Sequence, residues 1–130
     1  MRGWLRILLA IGVALAAARV DAHHDLADTY RLDQTVTVEG EVARVLFRNP
    51  HSLVYLVARD KRGREVQYAV EWEGAGELQG QGVTSQTLKV GDYLVVTGNP
   101  GLFSEDHRLR MITLRRPTDN YNYDARRSLW

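Results

Sequence analysis

Apolar and polar residues alternate along most of the chain after residue 35. Val36, Val38 and Val42 fall on even positions with Thr37, Glu39 and Glu41 between them, and Gly40 interrupts the series. A period of two marks a half-buried strand, and a glycine inside one marks a bulge or a tight bend. Ser52 to Arg59 is a second, more continuously apolar run, and the polar loop Asp60-Lys61-Arg62-Gly63 leads out of it. Val66, Tyr68, Val70 and Trp72 then alternate with Gln67, Ala69, Glu71 and Glu73, so the second and third runs read as a hairpin. The glycine-rich stretch from Gly74 to Gln86 has room for a short helical turn around Glu77-Leu78-Gln79. Lys89-Val90-Gly91-Asp92 turns the chain into a fourth strand, Tyr93 to Thr97. Arg108 to Leu114 is the fifth, with Leu109, Met111 and Thr113 on one side and Arg108, Arg110, Ile112 and Leu114 on the other. From Pro117 the chain is polar and without period, so residues 117–130 are expected to form a polar tail, mobile until Leu129-Trp130.

Three strands, a short helical connection and two more strands is the order of an OB-fold. A first strand bent at Gly40 is what lets five strands close into so small a barrel, and closure hides the sheet edges. The expected fold is therefore all-β, a five-stranded OB-like barrel over residues 23–116. An open sandwich or meander is the alternative that the same strand count allows.

The first 22 residues follow a different pattern. Met1 to Arg6 carries two arginines, Ile7 to Ala18 is almost uninterruptedly apolar, and Val20 and Ala22 are small residues at the spacing of a signal-peptidase site. The run is about a dozen residues long, against the roughly 20 that span a bilayer. Residues 1–22 are thus expected to be a cleaved signal peptide and the mature protein to be periplasmic or secreted, with no stable membrane span after cleavage. A cut after Ala18 is the competing site. With no cysteine in the chain, neither a lipid anchor nor a disulfide contributes, and stability must come from the core.

Export also changes the charge. The 130-residue precursor is +1; loss of Arg2, Arg6, Arg19 and Asp21 leaves the mature chain at −1. The apparent basicity belongs to the leader, and nucleic acid is not an expected partner.

Cleavage after Ala22 makes His23 the first mature residue, with His24 behind it. A terminal histidine offers its α-amino and ring nitrogens together, and a third nitrogen from a distant histidine completes a T-shaped site suited to copper(II). His51 follows Asn49-Pro50, where proline fixes the backbone and removes a donor, so the imidazole is held at a rigid corner. His23, His24 and His51, with Glu71 as a supplementary ligand, are the candidate metal set, and copper the candidate cofactor. The plain alternative is a solvated start and a turn histidine bonded to its neighbours. His107 follows Ser104-Glu105-Asp106 and reads as a solvent-facing loop residue.

Other motifs fall short of a chemistry. Glu71 and Glu73 share a strand face, but nothing in the sequence supplies a cleft or a perturbing partner for acid and base roles. Gly74-Ala75-Gly76-Glu77-Leu78-Gln79-Gly80 places its third glycine one residue late for a dinucleotide loop, and no second βα unit follows. There is no phosphate-loop lysine, nucleophile elbow or cysteine nucleophile, so enzymatic turnover is not expected. Arg59, Lys61, Arg62 and Arg64 charge a hairpin tip. Tyr55, Tyr68 and Trp72 form a candidate ligand surface on strands two and three. An exported binding module for an unidentified protein or small ligand is the first functional expectation, and a copper-binding protein the second.

Ala22-His23-His24 after the leader, Val36 to Val42 around Gly40, Asn49-Pro50-His51, Ala69-Val70-Glu71 and Thr87-Leu88-Lys89-Val90-Gly91-Asp92 together resemble the small secreted bacterial proteins of DUF6152, a family of unknown function. The resemblance spans nearly the whole mature region. It implies an exported β-barrel with His23, His24, His51 and Glu71 at recurring polar positions, and no known reaction.

Overall fold

A computed structural model describes residues 26–129. The leader, the cleavage junction, His23 and His24 lie outside the described residues.

The described chain contains six strands and a short α-helix, β1 (Val36–Leu46), β2 (Leu53–Arg59), β3 (Glu65–Glu71), α1 (Ala75–Gly80), β4 (Tyr93–Pro100), β5 (Arg108–Arg116) and β6 (Tyr121–Asp124), with 3-10 turns at Ser104–Asp106 and Ala125–Leu129. They form one sheet in the order β3-β2-β1-β4-β5-β6, and β3 also pairs with β5. That last pairing is parallel, through Ala69 to Glu71 and Arg108 to Arg110, and it closes the first five strands into a mixed barrel. The OB-like topology expected from the strand order is present, and the closed wall excludes the open sandwich.

The bend in β1 has a steric cause. Residues 36–41 pair with β4 and residues 40–46 with β2, so Gly40 sits where the strand passes from one partner to the other. A Cβ there would lie 2.3 Å from the Val57 carbonyl oxygen, closer than side-chain carbons come to backbone. A bulge at Ala43 sharpens the curve, because Val42 opposes Leu56 and Arg44 already opposes Tyr55.

Alternation sends Val38, Val42, Val54, Leu56, Ala58, Val70, Leu94, Val96, Leu109, Met111 and Leu114 into the core. Helix α1 and the loop after it plug one end of the barrel with Leu78, Val83 and Leu88. In β5 the expected inward series breaks: Thr97 opposes Thr113 but Gly98 opposes Met111, which leaves Ile112 unopposed. This bulge reverses the alternation, so Leu114 is buried and Thr113 is not fully so.

Residues from 117 onward do form an element. Tyr121–Asp124 pairs antiparallel with Thr113–Arg116, beyond the stretch of β5 that meets β3, and Tyr123 is 7% exposed. Strand β6 is polar and only four residues long, too short for a period to show. It is fastened by side chains: Arg116 donates to Asp92, Asp119 and the Thr87 carbonyl, and its guanidinium lies over the Tyr121 ring at 5.3 Å. Among the described residues no helix is long and apolar enough to cross a membrane.

Candidate functional site

His51 stands in the β1–β2 loop, which is held from three directions. The Ser52 hydroxyl is buried against the Arg48 backbone at 3.2 Å. The Ser52 amide donates to the Glu73 carbonyl and the Trp72 amide to the Ser52 carbonyl, so the loop is stitched to the end of β3. The start of α1 completes the hold: Ala75 N–H donates to the Arg48 carbonyl and Gly76 N–H to Asn49 Oδ1. Gly74 makes this approach possible, since a Cβ on it would come within 2.5 Å of the Pro50 carbonyl oxygen. The glycine run that fails as a dinucleotide loop is the shelf on which the Asn49-Pro50-His51 corner rests.

Glu71, the last residue of β3, is the hub of the site. Its Oε1 lies 2.6 Å from His51 Nδ1. Its Oε2 accepts the Tyr30 hydroxyl and faces the Arg108 guanidinium at 3.8 Å. Tyr30 is 2% exposed, and Arg108 lies 5.5 Å over its ring, so one cation balances the carboxylate and covers the phenol. Burial first, and the Glu71 carboxylate second, push the Tyr30 phenol well above the usual tyrosine value, against the opposing pull of Arg108. Tyr30 is therefore a fixed donor at neutral pH. Because Nδ1–H is spent on Glu71, the lone pair of the neutral ring lies on Nε2. The His51 side chain is 55% exposed, and its Nε2 has no partner among the described residues.

Beside the hub is a cleft of about 180 Å³ whose lining includes Leu26, His51, Glu71, Glu73, Glu77 and Arg110 together with Trp72, Met111 and Ala125. Its charged lining has three carboxylates and one guanidinium. Hollows of about 390 and 530 Å³ lie over β4–β6 and over β1–β2. They contain no histidine, and their polar groups are those of strand surface.

Glu73 also borders the cleft, but its Oε2 accepts the Tyr123 hydroxyl at 2.6 Å and the Gln81 amide at 2.8 Å. Trp72 packs edge-on against Tyr123, with ring centroids 5.1 Å apart, and is 4% exposed. The three aromatic residues of the expected ligand surface thus divide. Tyr55 lies on the outer face beneath Arg44, Tyr68 packs against the core and Trp72 belongs to it. His107 does not face solvent freely; it is half-buried with its ring 5.3 Å from that of Tyr68. Of the candidate metal set, His51 and Glu71 come together and His23 and His24 lie outside the described residues. Among the described residues no group of three or more His, Cys, Asp or Glu side chains is placed to hold a metal ion.

Sequence reasoning did not single out Tyr30, Arg108 or Ser52. Tyr30 is about forty positions from Glu71, and no local pattern marks it. Arg108 was legible only as an outward position on the fifth strand.

The family model of DUF6152, a family of unknown function, matches residues 10–109. No curated protein matches the chain.

Proposed function

As the chain belongs to DUF6152, a membership that names no reaction, we propose from the site itself that it is an exported, non-enzymatic binding module. Its ligand enters the cleft at His51. The observation that carries this reading is the Glu71 hub: a carboxylate held by the Tyr30 hydroxyl and faced by the Arg108 guanidinium orients one partly exposed imidazole at the edge of a concave, charged site. Pre-set polar groups beside a small cleft suit recognition. Turnover through a covalent intermediate would need a hydroxyl or thiol nucleophile, and no serine, threonine or cysteine is among the described residues that line the cleft.

Export is supported by the order of charge, apolar run and small residues in the first 22 positions. Expression of the full chain in a bacterial host, fractionation and mass spectrometry of the amino terminus test it. The expected product is periplasmic and begins at His23. An uncleaved cytoplasmic chain overturns the export reading.

For binding, a panel of metal ions, small anions and amino acids is screened by thermal shift against the mature chain and against His51→Ala. A ligand of the cleft raises the melting temperature of the first and not the second, because binding to the native state stabilises it by mass action. A panel that produces only shifts shared by both proteins removes the cleft as the binding site.

A further inference from the structure

Two of the charged groups that line the cleft are already engaged within the protein. Glu71 holds His51 and Tyr30 and faces Arg108, and Glu73 accepts Tyr123 and Gln81. Three polar groups of the same lining have no hydrogen-bond or ion-pair partner among the described residues: His51 Nε2, the Glu77 carboxylate and the Arg110 guanidinium. We propose that these three receive a small zwitterion, an α-amino acid with a short uncharged side chain, whose ammonium binds Glu77 and His51 Nε2 and whose carboxylate binds Arg110. The inference rests on the binding-module reading and names the ligand class of that same site.

Each of the three groups asks for a different part of such a molecule. With Nδ1 held by Glu71 at 2.6 Å, Nε2 of the neutral ring can only accept, so the group that meets it must bring a proton. An ammonium brings three, and the Glu77 carboxylate, carried by α1, takes a second in a charge-assisted bond. Arg110 is placed by the barrel seam, where its backbone partner in β3 is Glu71, and it therefore joins the lining beside the hub. Its planar fork suits a carboxylate through two parallel N–H donors. Glu77 and Arg110 line one cleft without pairing with each other. A simple anion would leave Glu77 uncompensated and a simple cation Arg110, whereas a zwitterion answers both. Size and lining agree. A cleft of about 180 Å³ holds on the order of six waters at about 30 Å³ each, which suits a molecule such as alanine or valine and excludes a drug-sized ligand. Leu26, Met111 and Ala125 supply apolar surface for a short side chain.

The protein is expressed from its full-length sequence, purified as the host processes it and titrated by calorimetry with alanine, valine, valine amide and isovalerate. The amide lacks the carboxylate of valine and isovalerate lacks its ammonium, while both keep the side chain. The expected result is one alanine or valine per chain, with valine preferred over each analogue about 10- to 100-fold, the worth of one charged hydrogen-bonding group. Arg110→Gln loses the preference over the amide and keeps that over isovalerate. Glu77→Gln narrows the preference over isovalerate and keeps that over the amide. Damage to the fold alone does not remove one preference and spare the other. His51→Ala weakens valine binding about tenfold, and in the parent protein bound valine shifts the nitrogen-15 resonance of His51 Nε2 more than that of Nδ1. Far-UV circular dichroism checks that each variant is folded.

Equal affinity for valine and its two analogues overturns the zwitterion assignment. Valine binding that is unchanged in His51→Ala, or variants of Arg110 and Glu77 that lose both preferences together, overturns it as well. If alanine and valine do not bind while another ligand of the thermal-shift panel depends on His51, the ligand class fails and the binding module stands. If no ligand depends on His51, both fall.

Discussion

Glu71 and Glu73 are two residues apart, border the same cleft and differ in what holds them. Glu73 accepts neutral donors, the Tyr123 hydroxyl and the Gln81 amide, and ties the carboxyl-terminal strand β6 and the segment after α1 to the barrel. Glu71 accepts a tyrosine, faces an arginine and holds an imidazole whose second nitrogen is unspent. The first arrangement joins parts of the fold. The second aims a group outward. What separates the two carboxylates is therefore not their cleft but the partners they hold: among the described residues, Glu71 alone of the pair contacts an imidazole.

The comparison predicts a common dependence on the shelf beneath both residues. Leu78 is fully buried within that shelf, and Leu78→Ala is expected to cost about 2–5 kcal/mol in denaturant unfolding and to loosen both carboxylates. A loss confined to one of them would show that the two networks are anchored separately.

The tyrosines separate the two sides. Tyr123→Phe takes a buried donor from Glu73 and is expected to cost about 1–3 kcal/mol, with the nitrogen-15 resonances of the His51 ring unmoved. Tyr30→Phe leaves Glu71 with His51 and Arg108, so about 0.5–1.5 kcal/mol is expected, but the His51 resonances shift. Identical behaviour of the ring in both variants would erase the distinction.

High pH should strain both networks in the same direction. Burial raises the Tyr30 and Tyr123 phenols above their ordinary value, and Glu71 and Glu73 raise them further. A group raised in the folded state contributes stability that is complete below its unfolded pKa of about 10 and is lost as pH rises beyond it. Unfolding midpoints are expected to be flat up to about pH 10 and then to fall, with a shallower fall in the double Tyr30→Phe, Tyr123→Phe variant.

The smallest effect lies outside both networks. Hydrogen bonds from the Arg126 side chain and then its backbone hold the Asp124 carboxyl down to about 2. Its contribution is present above the unfolded value and declines as pH falls towards 2. Asp124→Asn should therefore flatten the acid limb slightly, and a large change would mean that β6 depends on this pair more than on Glu73.

The strands of the barrel were legible because a period of two survives in each of them, even where Gly40 and the Ala43 bulge bend β1. The Ile112 bulge was not, since an inserted residue in β5 is defined by its partner β4 and leaves no mark in the run itself. Strand β6 escaped for a related reason: it is held by Arg116, Asp119 and Tyr123 rather than by an apolar face. Half of the candidate site was visible as residue types. Asn49-Pro50-His51 and Glu71 stood out locally, whereas their arrangement depends on Tyr30 and Arg108, which only barrel closure brings to them.

The parallel seam between β3 and β5 also sets an order of events in time. It joins segments roughly forty residues apart, while β1, β2 and β3 follow one another as local hairpins. Ordering so long a loop before its contacts reward it slows folding, and barrels dominated by such pairings take on the order of milliseconds to seconds. The meander of the first three strands can therefore assemble early and the seam late. Because Leu26, His51, Glu71, Arg110 and Ala125 meet only across the finished barrel, the chain acquires its cleft late in folding, and an incompletely folded one does not have it.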